Sequence, residues 1–209
     1  MVVLIKEQLG FRTTLDANIV RYLTLAQIAL EKLPDKPWFL MSEDSFTITT
    51  ADEERVEVPA DFIEEVEDAT FKYRPDTYPT DPENDLIKDG YDNLRQVYVG
   101  SVTGPPEAYA LLGNYFRIFP TPDDDYNVRL IYYKKAAALA VGSDSNVWSL
   151  NAPHLLMGTA GMHIGTAIRD KDATSTFQSW ISADMQAINN KNVARDVANQ
   201  ILQVGGRHF

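Results

Sequence analysis

Residues Gly104–Ala140 constrain this chain more than any other segment, because three strand-like runs there are each closed by residues that cannot continue a strand. Tyr109–Leu112 is apolar and is followed by Gly113-Asn114, a pair suited to the positive φ angles of a tight hairpin turn. Tyr115–Phe119 then alternates, with Phe116 and Ile118 on one face and Tyr115, Arg117 and Phe119 on the other. Pro120-Thr121-Pro122-Asp123-Asp124-Asp125 interrupts pairing, since proline has no N–H to donate and aspartate favours turns. Tyr126–Tyr133 resumes the alternation, setting Tyr126, Val128, Leu130 and Tyr132 against Asn127, Arg129, Ile131 and Tyr133. This spacing predicts one β-meander. Both its faces are bulky, so the expectation is that one packs on helices and the other meets a neighbouring chain or solvent.

The flanks read as helical. Leu15, Ile19, Tyr22, Leu23, Ala26, Leu30 and Leu33 recur at helical spacing over 14–33, and Pro34 stops the run. Pro153 suits a first helical turn, and Leu155, Leu156, Thr159, Met162, His163 and Thr166 extend a helix to about Arg169. Gly158, Gly161 and Gly165 cost that helix roughly 1 kcal/mol each in propensity, so their spacing predicts close approach by another backbone. A further helix from about Asp172 is marked by Phe177, Trp180, Ile181, Ile188, Val193, Val197 and Ile201, and Gly205-Gly206 closes it. Between these flanks, 38–41, 45–50 and 55–59 read as strands, 60–68 and 87–98 as short helices, and 74–85 and 141–152 as loops. The predicted class is α+β: a helical bundle from the N-terminal helix and two C-terminal helices, with a small antiparallel β-meander inserted. As one domain over 1–209, it divides into 14–33 with 153–203 as the bundle, 38–140 as a mostly β-rich or loop insertion, and 204–209 as a C-terminal tail.

Composition narrows the function classes. With 209 residues, 44% hydrophobic and 11% aromatic, the chain is long and apolar enough to bury a core. There is no cysteine, which removes disulfides, thiolate catalysis and cysteine-based zinc sites. The N-terminal run is too short for a signal peptide and no segment has the length of a transmembrane helix, so the expectation is a soluble protein made in a cytoplasm, without membrane partners. Of the net charge of −11, a stretch from Glu43 to Asp92 holds 17 acids against four bases, Arg55, Lys72, Arg74 and Lys88. That is the wrong sign for a protein gaining affinity by neutralising phosphates. A solvated acidic face is the plain reading; the sharper one is a surface that repels DNA or meets a basic partner.

Catalytic patterns are missing. No phosphate-cradling, dinucleotide, nucleophile-elbow or paired-histidine zinc motif occurs. His154 and His163 lie nine apart, on different turns of one predicted helix, and neither has the partner a helical metal site needs; His208 is the third histidine. Asp123–Asp125 lacks the spacing of a calcium loop. Glu64-Glu65 and Glu67-Asp68 are crowded carboxylates, whereas glycoside cleavage takes two acids from different elements converging on one cleft. Tyr109, Tyr115, Tyr126, Tyr132 and Tyr133 fit a protein interface better than a stacking platform for single strands, because basic residues around them are few.

The meander also carries a family resemblance. Gly104-Pro105 leading to a Tyr109-led apolar strand, a turn, a strand ending Pro120-Thr121-Pro122 and a strand ending Tyr132-Tyr133 together resemble the central signature of portal adaptor (head-to-tail connector) proteins of tailed bacteriophages. Val58-Pro59-Ala60-Asp61-Phe62 and Val147-Trp148-Ser149-Leu150, followed by Pro153, Leu155, Leu156 and Gly158, resemble two further family motifs in the same order. The resemblance spans most of residues 14–190. It implies a virion component in the neck, usually in twelve copies, forming a ring between the portal protein and a tail or nozzle protein. It also implies no cofactor, and DNA passing through without sequence-specific binding. On that reading Tyr115, Arg117, Phe119 and Tyr133 are interface candidates. Val204–Phe209 becomes a portal-docking tail with Arg207 and Phe209 as anchors, and Glu53, Glu54, Glu57, Glu64 and Glu65 face the lumen. The rival expectations are another neck or tail-completion protein, and a carboxylate-dependent hydrolase.

Overall fold

Helical periodicity at both ends and strand alternation between them produce two compact units, residues 1–40 with 135–209 and residues 41–134. The computed structural model describes residues 1–10, 16–48, 55–66, 71–75, 83–100, 103–140 and 144–205. The first unit holds α1 (Val2–Gln8), α2 (Asp16–Leu30), a 3-10 turn (Trp38–Leu40), α4 (Val147–Asn151), α5 (Pro153–Ile168) and α6 (Lys171–Gly205). Among the described residues the second holds α3 (Tyr91–Val97) and eleven strands: β1 (Met41–Ile48), β2 (Arg55–Glu57), β3 (Phe62–Glu65), β4 (Phe71–Pro75), β5 (Asn84–Asp85), β6 (Ile87–Lys88), β7 (Thr103–Gly104), β8 (Ala108–Leu112), β9 (Tyr115–Phe119), β10 (Thr121–Pro122) and β11 (Tyr126–Lys134). The class is α+β, with sheets antiparallel apart from the short β6–β8 and β7–β10 pairings.

In the helical unit, α5 packs against both α2 and α6. Ile19, Leu23, Ala26 and Leu30 give α2 its buried stripe, and Leu155, Leu156, Ala160 and Ile164 do the same for α5. The chain reverses between α5 and α6 in two residues. Arg169 adopts the left-handed conformation (φ 58°), the Asp170 N–H donates to the Gly165 carbonyl at 2.9 Å, and Asp170 Oδ1 then accepts the Ala173 N–H at 3.0 Å to cap α6. The three glycines of α5 do face the neighbouring helix. A Cβ on Gly158 would meet the Phe177 carbonyl at 3.0 Å, one on Gly161 the Phe177 ring at 2.5 Å, and one on Gly165 the Thr174 hydroxyl at 2.8 Å.

A buried polar clamp fastens residues 136–139 to α2. Thr24 and Gln27 of α2 and Glu31, just past its end, fall at helical spacing on one side. Thr24 Oγ1 donates to the Leu139 carbonyl (3.3 Å), Gln27 Nε2 to the Ala136 carbonyl (2.9 Å), and Glu31 Oε1 accepts the Ala136 N–H (2.9 Å). Asn146 Nδ2 closes the network on Gln27 Oε1 (2.9 Å) and the Ala137 carbonyl (2.7 Å). Its Oδ1 accepts the Trp148 and Ser149 N–H groups, both at 3.1 Å, which starts α4 inside the segment expected as a loop.

The 41–134 unit is built on two packed sheets, with β7 and β10 forming a separate two-stranded pair. One runs β1-β11-β4-β5, with β3 pairing the far end of β11; the other runs β2-β9-β8-β6. Phe71, Val128, Leu130 and Tyr132 of the first meet Tyr109, Phe116 and Ile118 of the second in the core. The expected single meander is therefore split: β8 and β9 form the hairpin, but β11 belongs to the other sheet. The apolar face of the strands packs on a second sheet, not on helices. Three shorter expectations also change. Residues 62–65 pair as β3 with β11 instead of coiling, because a one- or two-turn helix is marginal by itself and β11 offers an open edge. Trp38–Leu40 makes a 3-10 turn before β1. Gly90 divides 87–98 into β6 and α3, and Asp89 Oδ1 accepts the Gly90 N–H at 2.6 Å there.

The Tyr132 phenol is harder to ionise than a free one. Burial, then its hydrogen bond to Asp61 at 2.9 Å, pushes the phenol up from 10 to about 12. The fold thus favours the neutral phenol, so its stabilisation is complete below the unfolded value near 10 and is lost as pH rises toward 12. Denaturation midpoints measured across that window should fall, and the fall should be shallower in Tyr132→Phe. An unchanged slope in the variant would show that other groups govern alkaline unfolding.

Candidate interaction surfaces

Each sheet of the 41–134 unit has an outer face, and the two differ. On the β2-β9-β8-β6 sheet, α3 lies over Ala108, Ala110 and Phe119, placing Leu94 against them with Tyr91 and Tyr98 at the margin. Tyr98 stacks on Phe119 with ring centres 5.9 Å apart. The hairpin end of the same face is open, displaying Leu112 (43% exposed) and Tyr115 (41% exposed) as cross-strand partners. Next along are Arg117, half-buried with its guanidinium 5.7 Å from the Tyr91 ring centre, and its partner across the strands, Arg55.

On the other sheet the outer face is laced with ion pairs. Arg129 Nη2 donates to Glu83 at 2.6 Å and its Nη1 lies 3.7 Å from Glu43; Lys72, opposite Arg129, binds Asp85 at 3.0 Å. Half-exposed pairs of this kind are each worth about 0–1 kcal/mol, so their main effect is to set register and keep the face polar. Toward the other end, Tyr133 lies between Met41 of β1 and Glu64 of β3.

The sequence-derived interface candidates consequently do not share a surface. Tyr115 and Arg117 lie on one outer face and Tyr133 on the other. Phe119, at 4% exposure, is core beneath α3 and leaves the interface set. The acids are also dispersed. Glu57 is exposed opposite Tyr115, and Glu64 sits on the opposite outer face beside Tyr133. Glu65 alternates inward beside Tyr132, nine-tenths buried, and accepts a hydrogen bond from Lys88 Nζ. Glu64 and Glu65 thus point to opposite sides of one strand and do not converge on a cleft. Glu53, Glu54, Arg207 and Phe209 lie outside the described residues.

His154 lies against Trp180 and 3.8 Å from Asp184, His163 stacks on Tyr22, and His208 lies outside the described residues. Among the described residues, no group of three or more histidine, aspartate and glutamate side chains is placed to hold a metal ion. A cleft beside Trp38, Asp184 and Lys191, of about 20 Å³, has room for one water. No helix among the described residues is long and apolar enough to cross a membrane.

Charge follows the division into units. Residues 41–134 hold 21 acids and 8 bases, a net of −13, while the remaining residues hold 9 acids and 11 bases, a net of +2. Sequence reasoning located the acid excess but missed Arg55, Arg95 and Tyr91, which join Arg117 only through strand register and the placement of α3; no local pattern marks them.

No curated protein sequence matches the chain. The family model described as SU10 adaptor protein matches residues 4–204, nearly the whole length. With its acidic, two-sheet unit and its helical unit, the chain belongs to the SU10 adaptor protein family, which makes it a phage structural adaptor and a virion component.

Proposed function

We propose that this adaptor assembles through copies of itself into a ring, of twelve subunits by the resemblance described above, that joins the portal to the tail or nozzle and encloses the DNA channel. The observation that carries this reading is the segregation of charge, −13 on residues 41–134 against +2 on the rest. A channel wall that DNA slides past without sticking should be acidic, because like charge denies the phosphates the counterion release that drives binding. Repeated head-to-tail contacts close into a ring when their rotation permits, and the exposed aromatic and arginine side chains of the β unit are of the types enriched in such contacts. Glu57 and Glu64, on opposite outer faces, then have different neighbours, so only one of them faces the channel. The tail 204–209, with Arg207 and Phe209, is assigned to the portal contact.

Electron microscopy of the purified protein, alone and in virions, tests the proposal. The expected result is a ring with a central opening in the neck, with the 41–134 unit bordering the opening. Particles without an opening, or a ring whose acidic unit lies wholly on the outside, would overturn it.

A further inference from the structure

Three of the eight basic residues of the 41–134 unit gather at one place. Arg55 and Arg117 are direct cross-strand partners on β2 and β9 and so share the outer face of their sheet. Arg117 and Arg95 both approach the Tyr91 ring, their guanidinium carbons 5.7 and 5.8 Å from its centre. Arg55 and Arg95 are exposed. Like charges directly opposite one another in a sheet are destabilising, so a pair of arginines at this register is a position where an added carboxylate would be favourable. Glu57 and Asp92 adjoin the patch, so it is not purely cationic, yet Arg95 and Arg117 are ordered around an aromatic ring. Leu112 and Tyr115 extend the same face as exposed apolar area. Arginine and tyrosine packed beside an apolar anchor make up the centre of protein interfaces.

We propose that this patch is the receiving half of a contact between copies of the chain, and that the Asp123–Asp125 turn of the next copy fills it. The assignment rests on the ring reading above. Three consecutive exposed aspartates stand between β10 and β11. The turn is held in shape by the Tyr126 hydroxyl, which donates to Asp123 at 2.6 Å, and by the Asp125 N–H, which donates to Asp124 at 2.8 Å. Tyr115 begins β9, and the aspartates follow β10 beyond the other end of β9. A patch and a complementary turn toward opposite ends of one strand suit a head-to-tail contact, the type that rotation closes into a ring. Guanidinium groups bind carboxylates with paired, charge-assisted hydrogen bonds, which give the contact direction as well as attraction. Chains of net charge −11 repel one another at long range, so local opposite charge also sets which surfaces can meet.

Charge exchange tests this. Arg55→Glu with Arg95→Glu forms one variant and Asp124→Arg with Asp125→Arg the other, both changing exposed residues; circular dichroism checks that they fold. Sedimentation velocity should show each variant self-associating at least ~10-fold more weakly than wild type, since juxtaposed like charges cost several kcal/mol. An equimolar mixture should assemble again, because the reversed patch then meets the reversed turn and the native patch the native turn. Wild type that stays monomeric up to its solubility limit would overturn the ring reading and this contact together. Assembly by wild type and by both variants alike would overturn this contact alone, as would two folded variants whose mixture does not recover.

Discussion

Gly161→Ala should lower the melting temperature of this protein, although alanine is the better helix former. Exchanging a mid-helix glycine for alanine gains about 1 kcal/mol in propensity. Here the new methyl would lie 2.5–2.6 Å from three carbons of the Phe177 ring, which is fully buried and has nowhere to swing. Overpacking of that kind costs about 1–3 kcal/mol or more, and separating α5 from α6 would expose Leu155, Leu156 and Ile164 as well. The expected net loss is about 2 kcal/mol, read as a drop of roughly 4–8 °C for a chain of this size. Gly158→Ala should be comparably harmful, since its methyl meets the Phe177 carbonyl at 3.0 Å and backbone cannot rotate away. Gly165→Ala should be the mildest, because the obstacle at 2.8 Å is the Thr174 hydroxyl, which can turn aside. Phe177→Leu combined with Gly161→Ala should recover part of the loss through direct coupling of the pair. A Gly161→Ala protein as stable as wild type, or a series in which Gly165→Ala is worst, would refute the close-packing account.

That helix pair was readable in advance because everything defining it is local: proline at the start, apolar spacing along the face, and glycines one turn apart. The strands were readable only in part. Alternation sorts the residues of β9 and β11 into two faces, and Phe116, Ile118, Val128, Leu130 and Tyr132 fall on the faces that the structure buries between the sheets. It does not tell which strand lies on each edge. β1 and β4 occupy the edges of β11 while β2 and β8 occupy those of β9, so two neighbouring strands of the chain enter different sheets. Register with β1 and β2 joins residues that are 58 or more positions apart, a separation no local pattern encodes.

The same limit decided the surface. Phe119 alternates outward with Tyr115 and Arg117, and only the placement of α3 over that end of the sheet turns it into core. Arg55 and Arg95 carry no signal in their own surroundings, yet register and helix placement put them with Arg117. Charge was easier, because a count along the sequence needs no pairing: the acid excess found between Glu43 and Asp92 is the excess of one folded unit. Assembly surfaces are thus legible in kind, as aromatic and charged residues outside the core, before they are legible in place.

The second large loss is expected at Asn146, whose amide does two jobs at once. Its oxygen accepts the N–H groups of Trp148 and Ser149, and its nitrogen donates to Gln27 Oε1 and the Ala137 carbonyl. Asn146→Ala removes a helix cap, worth about 0.5–2 kcal/mol, and leaves buried acceptors without a donor at about 1–3 kcal/mol each. The total should be about 3 kcal/mol, measured by urea denaturation followed through far-ultraviolet circular dichroism. Asn146→Asp separates the two jobs. A carboxylate caps α4 as well as the amide does, but it turns an acceptor toward two acceptors and brings charge near Glu31, itself buried beside Gln27. It should therefore be at least as damaging as alanine, whereas a purely capping residue would tolerate it. Gln27→Ala in the Asn146→Ala background should cost less than Gln27→Ala alone, by about 0.5–3 kcal/mol, because the network is already broken. Additive losses, or an Asn146→Asp protein indistinguishable from wild type, would mean that residues 136–139 are held to α2 by Leu139 and its apolar neighbours and not by the clamp.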